Sequence, residues 1–256
     1  MKKDKSFILP SDSPELKNII SHARDLYNKA IFSNRTFFTK FLTPPEADEV
    51  YGRFPKGDCP IDRFGGYEGA ERTVVSFGEA EPSDYPITAL KIKNKGTKEL
   101  SHRDYLGTVL SLGIKREMIG DIVITDDGAY IFALDEIASF ICDNLLKISN
   151  SGVTCSMAYP GEDIQIKREY EIFSATVSSL RLDSVVAAAC RKSRSAISDV
   201  FPKGLVLLNY KENTSTSASV KDGDVITFRG FGKFLIKTDG TLTKKGRIHI
   251  EINKYA

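Results

Sequence analysis

The sequence predicts an α+β protein made of a helical N-terminal region, a central α-β plait and a small α+β domain at the C-terminus. Three patterns support this prediction: helical spacing of apolar residues near the start, a β-α-β-β-α-β order in the middle, and two short helical patterns followed by strands near the end. The predicted domains are 1–82, 83–162 and 178–256, with a strand-like connector at 163–177.

Length and composition are those of an ordinary globular protein. Of the 256 residues, 41% are hydrophobic and 27% are charged, which provides enough apolar material for packed cores. The start Met1-Lys2-Lys3 is not followed by the apolar run of a secretory signal, and no segment approaches the roughly 20 apolar residues of a membrane span. We therefore expect a cytoplasmic protein that does not enter a membrane.

The residues that could hold a metal are scattered along the chain. None of the cysteines is paired in a Cys-x-x-Cys spacing, and neither a Walker phosphate loop nor a Gly-x-Gly-x-x-Gly motif is present. We expect no metal, no cofactor, and a reduced protein with mostly buried free thiols. The cysteines and histidines are Cys59, Cys142, Cys155, Cys190, His22, His102 and His249.

Positive charge is concentrated in the last third of the chain. Between residues 178 and 256 there are 14 Lys and Arg against 7 Asp and Glu, whereas the first 177 residues carry 22 basic against 27 acidic side chains. The formal net charge of +2 hides this asymmetry. A basic terminal segment indicates a polyanionic partner, although a solvated basic surface would give the same count.

Two helices are predicted in the N-terminal region. Ser13 and Pro14 form a typical helix start, and apolar residues then recur at helical spacing as far as Ala30. Thr43 and Glu46 have the spacing of a capping box at the start of the second helix. Strand-forming residues follow at 73–77, and we assign no chemistry to this region.

The central region alternates strands and helices in the order of a ferredoxin-like fold, which RNA-recognition domains share. Topology alone does not give a function. RNA-recognition domains carry aromatic side chains on two central strands, whereas here only Tyr130 and Phe132 come near that pattern, on one face of one strand. The predicted strands are 87–92, 121–125, 129–133 and 152–157, the helices are 101–112 and 135–147, and the hairpin turn is at 126–128.

The C-terminal region begins with two short helices. Arg181-Leu182-Asp183 opens the first and Arg191-Lys192 closes it, whereas Ser193 caps the second, which ends at Pro202. Two short helices cannot bury their apolar faces alone, so we expect them to pack on the strands that follow. Their ends then present basic side chains, and guanidinium groups suit bidentate phosphate contacts.

The C-terminal motifs also occur in a characteristic register. They are Arg181-Leu182-Asp183, Ser193-Arg194-Ser195, Lys203-Gly204, Val206, Asn209 and Asp222-Gly223-Asp224-Val225-Ile226. This set resembles the S-four-type RNA-binding domain, also called the αL motif. Pro202 departs from the pattern, because related domains continue the second helix there, and this puts the role of Lys203 in doubt.

Further motifs extend the resemblance over nearly the whole chain. They are Phe64-Gly65-Gly66-Tyr67, Ala70-Glu71-Arg72, the segments 100–107 and 112–122, Arg229-Gly230-Phe231-Gly232-Lys233 and the segment 242–247. The set resembles the YlmH family of bacterial proteins. That resemblance implies a non-catalytic, ribosome-associated protein that binds ribosomal RNA, tRNA or both. Because small relatives of the last domain bind large ribosomal subunits that carry peptidyl-tRNA, it also implies a role on the large subunit, in translation or in rescue of stalled ribosomes.

The candidate RNA contacts form two groups of mainly basic residues. The first group lies in the C-terminal domain and comprises Arg181, Arg191, Lys192, Ser193, Arg194, Lys203, Arg229, Lys233, Lys244, Lys245 and Arg247. The second, in the plait, comprises His102, Arg103, Lys115 and Arg116. Cations that follow Gly113 also suit the C-terminal end of a helix dipole, so a structural role for the second group is equally open.

Two other functions remain open at this stage. Arg181-Leu182-Asp183 resembles part of a pseudouridine synthase site, which would make the protein an RNA-modifying enzyme of the synthase or methyltransferase type. Such a site continues with Thr and Gly, however, whereas Ser184-Val185-Val186-Ala187 continues an apolar helix, and no methyl-donor loop is present. Alternatively, the acidic N-terminal two-thirds could dock a protein. The sequence does not indicate an oligomeric state.

Overall fold

The structure is a computed structural model that describes residues 14–55, 57, 59–97, 99–158 and 170–255. The chain divides into two compact units, Met1–Ile166 and Lys167–Ala256. Helices and antiparallel sheets occur in both units, which confirms the predicted α+β class. Ser13 and the first part of the predicted connector, 163–169, lie outside the described residues. Within the described ranges, no helix is long and apolar enough to cross a membrane.

The first unit begins with two helices packed on a small antiparallel sheet, which we call the N-terminal module. Its elements are α1 (Pro14–Ser33), β1 (Phe37–Phe38), α2 (Pro44–Arg53), β2 (Ile61–Phe64) and β3 (Val74–Phe77), with the strand order β1-β3-β2. Every residue of β3 is buried, because this central strand lies under the apolar faces of both helices. The predicted capping box is confirmed, since the Glu46 carboxylate accepts a hydrogen bond from the Thr43 backbone N–H at 2.7 Å.

The rest of the first unit is the predicted plait. Its elements are β4 (Ile87–Asn94), α3 (His102–Ser111), β5 (Ile119–Thr125), β6 (Gly128–Leu134), α4 (Asp135–Asn144), β7 (Lys147–Ile148) and β8 (Ser151–Ala158). The strands pair antiparallel in the order β5-β6-β4-β8-β7, and α3 and α4 pack on one face of the sheet. The β-α-β-β-α-β order is therefore confirmed, with β7 as a short unpredicted addition beside β8.

The segment 64–72 joins the N-terminal module to the other face of the plait sheet. The ring of Tyr67 stacks on that of Phe132, with 4.8 Å between centroids, and Phe132 is fully buried. Gly66 lies over the same ring with φ = +98°, and a β-carbon there would be 2.3 Å from Cδ1 of Phe132. Glycine is required at this position because any side chain would overlap the phenylalanine.

A buried carboxylate completes this joint. Asp121, on β5, accepts hydrogen bonds from the Tyr67 hydroxyl at 2.7 Å and from the backbone N–H groups of Glu71 at 2.8 Å and Arg72 at 3.1 Å. These contacts satisfy the acceptor capacity that burial would otherwise leave unmet. The Phe64 and Ala70 motifs of the sequence therefore serve to hold the two parts of the first unit together.

Two arginines add hydrogen bonds to backbone carbonyl groups at this joint. The guanidinium of Arg72 donates to the carbonyl oxygens of Phe41 at 3.0 Å and Ile119 at 3.1 Å. Arg116 donates to the carbonyls of Ile119 and Gly120. Burial, together with the nearby charge of Arg72, lowers the pKa of Arg116 to about 10, so the group stays protonated at neutral pH.

The cysteines differ from the expectation of free thiols. Cys142 on α4 and Cys155 on β8 form a disulfide with a Cα–Cα distance of 5.0 Å. The prediction is therefore wrong for this pair, because helix-on-sheet packing brings together two positions whose spacing in the sequence gives no sign of contact. Cys59 and Cys190 are free thiols, and burial raises the pKa of the Cys190 thiol to about 11.

The second unit is one antiparallel sheet with helices on one face. Its elements are β9 (Tyr170–Val177), α5 (Leu182–Ala189), a 3-10 helix (Ser195–Val200), β10 (Val206–Leu208), β11 (Lys211–Glu212), β12 (Val225–Phe228), β13 (Gly232–Lys237) and β14 (Ile248–Tyr255). The strand order is β11-β10-β12-β13-β14-β9. Leu182 and Val185 of α5, with Ile197 and Phe201 near the 3-10 helix, fill the core against the sheet.

Two elements of this unit differ from the sequence prediction. Tyr170–Val177 lies in the predicted connector, yet it is a strand that pairs with β14 along its whole length. Its partner is distant in sequence, so the pairing leaves no local signal. The second helix is a 3-10 helix rather than an α-helix. It ends at Val200, two residues before Pro202, which has no N–H with which to continue it. Ser193 does cap it, with Oγ accepting a hydrogen bond from the Ala196 backbone N–H at 3.2 Å.

The joint at Gly66 gives a stability prediction. We expect Gly66→Ala to lower the free energy of unfolding by about 2–4 kcal/mol, from left-handed strain and from overlap with Phe132. Gly69→Ala is the matched control, because Gly69 has φ = +79° but no neighbouring atom within 4 Å of an added β-carbon. Urea denaturation of both variants separates the two effects, and equal losses would show that the overlap with Phe132 is relieved without cost.

Candidate nucleic-acid interface

Helix α5 begins at a carboxylate that two arginines share. Asp183 lies in the first turn and is only 6% exposed. Its oxygens accept hydrogen bonds from Nε and Nη2 of Arg181, both at 3.2 Å, and another from Nη2 of Arg194. The two arginine side chains are 41% and 53% exposed. A buried anion thus holds two guanidinium groups at the surface.

The charge of this carboxylate depends on its partners. Burial opposes ionisation of Asp183, but the hydrogen bonds from Arg181 and Arg194 outweigh burial and hold the pKa of the carboxyl below its usual value. A lowered pKa means that the contribution to stability is present above the unfolded-state pKa and is lost only as the pH falls through the folded-state value. The two ion pairs are therefore intact throughout the neutral range.

Helix α5 ends at a left-handed residue that is not glycine. Arg191 has φ = +53° and its backbone N–H donates to the carbonyl of Ala188 at 3.1 Å, while the N–H of Lys192 donates to that of Ala187 at 2.9 Å. This is the hydrogen-bond pattern of a Schellman motif, in which glycine is the usual left-handed residue. A β-carbon in that conformation costs about 1–2 kcal/mol. Because glycine would adopt this conformation without strain, the strain makes Arg191 a candidate for a functional role.

Aromatic rings support the two cations at this helix end. The guanidinium carbon of Arg191 lies 4.9 Å from the ring centroid of Phe173 on β9. Nζ of Lys192 lies 4.5 Å from the centroid of Phe231, which is 45% exposed. Cation–π contacts restrict long, exposed side chains to one part of the surface. Both cations are therefore held in position with their charges at the surface.

A basic cleft of about 290 Å³ lies between α5 and the end of β9. Small residues of the helix, Ser184, Ala187 and Ala188, line it together with Lys192, Arg194 and Arg247. The guanidinium of Arg247 donates to the Oγ1 of Thr176 at 3.1 Å and to the carbonyl oxygen of the same residue. The cleft therefore has small side chains along the helix and cations from two segments, the turn after α5 (Lys192 and Arg194) and the residue before β14 (Arg247).

The remaining predicted contacts of this unit lie away from the cleft. Arg229 forms an ion pair with Glu212 at 2.8 Å, which offsets part of its charge. Lys233 lies on the sheet face opposite α5, where Nζ donates to the Tyr210 hydroxyl at 3.1 Å. Lys203 is exposed after the 3-10 helix, and Lys244 and Lys245 are exposed in the turn before β14. The structure thus brings together only part of the predicted group.

The second predicted group does not form one cluster. His102 and Arg103 open α3, whereas Lys115 and Arg116 follow its other end, about 15 Å away for a helix of ten residues. Arg116 is also engaged with the backbone carbonyls of Ile119 and Gly120 at the joint of the first unit. The sequence pattern could not distinguish this half-buried arginine from its exposed neighbour Lys115.

Several residues of the cleft were not predicted from the sequence. Thr176 and Ser178 come from the predicted connector and its end, and Ser184 comes from the apolar run of α5. Phe173 and Phe231 were likewise missed as supports for cations. Basic residues at the ends of a short helix can be recognised in the sequence because they are close together. The aromatic rings that contact them lie in a distant strand or turn, which only the fold brings near.

The position of Asp183 argues against the hypothesis that Arg181-Leu182-Asp183 is part of a synthase active site. The carboxylate of Asp183 is buried and engaged with two guanidinium groups, so it is not placed as an accessible nucleophile. In the part of the chain that the structure describes, no group of three or more His, Cys, Asp or Glu side chains is arranged to hold a metal ion.

Comparison with known proteins agrees with these features. A family model described as "Putative RNA-binding domain in YlmH" matches residues 80–159, the region of the plait. The solved structure of the "Cell division protein ylmH from Streptococcus pneumoniae" is similar with a TM-score of 0.51 and 24% identity, covering 62% of this chain and 100% of that one. At this level of identity the structural match supports the fold alone.

A curated relative covers most of both chains. The Bacillus subtilis (strain 168) protein named "Ribosome-associated protein quality control protein P2" is 30% identical over 233 residues, which are 86% of this chain and 88% of that protein. The resemblance seen in the sequence motifs is thereby confirmed, and the chain belongs to the YlmH family.

Proposed function

We propose that the protein is a non-catalytic, RNA-binding factor of the ribosome whose α5 surface contacts RNA phosphates. The observation that carries the proposal is the shared carboxylate of Asp183, which fixes Arg181 and Arg194 beside the start of α5, where Arg194 also lines the basic cleft. Guanidinium groups that are already held in place lose less side-chain entropy when they bind. Each guanidinium has five N–H donors, and those that Asp183 does not accept can contact phosphate oxygens.

The distribution of charge supports a polyanion as the ligand. The segment 178–256 carries twice as many basic as acidic side chains, and the cations that line the cleft come from the turn after α5 and from the residue before β14. A protein partner of matching shape would need a comparably acidic surface, whereas RNA offers regularly spaced phosphates. Binding should therefore weaken as salt rises, because each phosphate contact releases a counterion.

The place of action is proposed from the relatives. The Bacillus subtilis relative is named for ribosome-associated quality control, and a family model named for RNA binding matches the plait. We extend this to the present chain as a cytoplasmic factor that acts on the large subunit during translation or rescue of stalled ribosomes. Ribosomal RNA and tRNA are the proposed ligands.

Sedimentation tests the proposal most directly. Tagged protein in cell lysate is run through a sucrose gradient at low and high salt, as wild type and as Arg191→Ala/Arg194→Ala. We expect the wild type to migrate with the large subunit at low salt only, and the variant to stay in the light fractions. The matched control is Lys211→Ala/Lys221→Ala, which removes the same charge from exposed positions outside the cleft.

The control decides what a loss of sedimentation means. If both double variants leave the ribosome equally, net charge rather than the α5 surface is responsible. If the wild type remains in the light fractions at every salt concentration, the ribosome is not the target and the function proposed here is wrong.

The left-handed arginine allows binding to be separated from folding. We expect Arg191→Gly to raise the free energy of unfolding by about 1 kcal/mol, since it removes strain, and to reduce the salt dependence of RNA binding by about one phosphate contact. Chemical denaturation and a filter-binding salt titration measure the two effects. Arg191→Lys retains both the charge and the strain, so it should leave stability unchanged. Wild-type binding by the glycine variant would remove Arg191 from the contact surface.

The shared carboxylate predicts an effect that opposes simple electrostatics. Asp183→Asn makes the protein more positive, yet we expect RNA affinity to fall about tenfold, because Arg181 and Arg194 are no longer held. The free energy of unfolding should also fall by about 1–3 kcal/mol. Asp199→Asn, on the exposed side of the 3-10 helix, makes the same change in charge and should not weaken binding. Tighter binding by Asp183→Asn would show that charge outweighs positioning.

A further inference from the structure

The plait sheet has one face that the helices leave uncovered, and the N-terminal module covers only part of it. Residues of three adjacent strands form rows across this face, as the antiparallel register requires. The row of Phe132, Ala89 and Ala158 is buried under the N-terminal module. The next row, Tyr130, Lys91 and Ser156, is less covered. Tyr130 packs against the edge of the same buried cluster, Tyr130 and Lys91 are half-buried, and Ser156 is exposed.

A third row continues the uncovered surface. Lys93 on β4 stands between Gly128 on β6 and Thr154 on β8, and both Lys93 and Thr154 are exposed. We call the surface made by Tyr130, Lys91, Ser156, Lys93 and Thr154 the open half of the sheet. Its composition is one phenol ring, two cations and two aliphatic hydroxyl groups.

We infer that the open half of the sheet is a binding site for single-stranded RNA, with one base stacked on Tyr130 and the backbone phosphates beside Lys91 and Lys93. The inference rests on the proposed RNA-binding function and assigns part of it to a surface separate from α5. It names a ligand class, unpaired RNA, that the α5 cleft does not require.

The two lysines are the first argument for a nucleic acid. They stand two residues apart on the same face of the central strand, about 7 Å from each other along the strand. That separation is comparable with the distance between successive phosphates of an extended single strand. Two lysines on a central strand would be unfavourable under a protein partner's apolar surface, whereas they complement a phosphate backbone.

The half-buried ring of Tyr130 is the second argument. Nζ of Lys91 lies 5.6 Å from the ring centroid of Tyr130, so a cation and an aromatic face are adjacent at the surface. Stacking of unpaired bases on aromatic side chains beside basic groups is how proteins hold single strands with little sequence preference. The hydroxyl groups of Ser156 and Thr154 add donors and acceptors on the far side of the lysines.

The N-terminal module limits what this site can do. Phe132 is the other aromatic residue on this face of β6, and its ring is stacked under Tyr67 with no exposed surface. Only one ring remains for stacking on these three strands, so the site holds one base firmly. The acidic turn at Asp126 and Asp127 borders the face next to Lys93, which directs the backbone away from that edge.

Fluorescence anisotropy of the full-length protein with a labelled oligouridine of about ten nucleotides tests the inference. We expect Tyr130→Leu, which keeps apolar bulk but removes the ring, to weaken binding about tenfold, and Tyr130→Phe to stay within about twofold of wild type. Lys91→Gln/Lys93→Gln should lower the slope of log affinity against log salt by about 1.4, which is 0.7 for each phosphate of a single strand. Thermal denaturation checks that the variants are folded.

The Arg191→Ala/Arg194→Ala variant separates the two surfaces. If it abolishes oligouridine binding while Tyr130→Leu binds as wild type does, this inference is wrong although the proposed function stands. If the wild type binds neither oligouridine nor ribosomal RNA, both fail. Weakening by Tyr130→Leu and Tyr130→Phe to the same extent also overturns the stacking role, because the phenyl ring should replace the phenol.

Discussion

The second unit depends on one interaction, the buried carboxylate of Asp183 between two guanidinium groups. An ionised carboxylate at 6% exposure is unfavourable unless opposite charges compensate it. Arg181, which precedes Asp183 in the chain, and Arg194, which follows it, provide that compensation. The same contacts join the start of α5 to the turn that follows it. The interaction therefore sets both the local fold and the direction in which the two cations face.

The first unit also depends on a buried carboxylate, that of Asp121. Its contacts cover an aromatic side chain, whereas those of Asp183 hold two cations at the surface. Asp121 and Tyr67 fasten the N-terminal module to the plait, and Phe132 is buried as a result. Without this cover, the plait would expose two aromatic rings, Tyr130 and Phe132, on one strand. RNA-recognition domains expose theirs on two strands. The contact between Asp121 and Tyr67 thus makes part of this sheet face a buried core. The aromatic and basic side chains that remain accessible begin at the row of Tyr130 and Lys91.

Local signals predicted those features that neighbouring residues determine. The capping box at Thr43, the hairpin turn at Asp126 and the order of elements in the plait all follow from spacings of a few residues. Contacts between distant segments were not visible in the same way. Strand β9 pairs with a segment more than seventy residues away, and Cys142 meets Cys155 only because α4 packs on the sheet.

The candidate site shows the same division. The register of Arg181, Asp183 and Arg194 could be read from motifs, but the sequence did not show that one carboxylate serves both arginines. Arg116 was predicted as an RNA contact from its charge, whereas the structure uses it to bind carbonyl groups at the joint. A basic side chain has the same appearance in a sequence whether its donors face solvent or the protein backbone.

In the described part of the second unit, three residues other than glycine have a positive φ, and two of them, Arg191 and Tyr210, contact a cation or carry one. Arg191 adopts φ = +53° at the end of α5, and Tyr210 adopts φ = +65° in the two-residue turn between β10 and β11, both positions that glycine would occupy without strain. Arg191 places its own guanidinium over Phe173, and Tyr210 accepts a hydrogen bond from Lys233 and stacks beside it. Each side chain is therefore tied to a positive charge, although glycine would fold more readily. We therefore expect that these two side chains are retained, at a cost in strain, because they fix cations at a defined place on the surface.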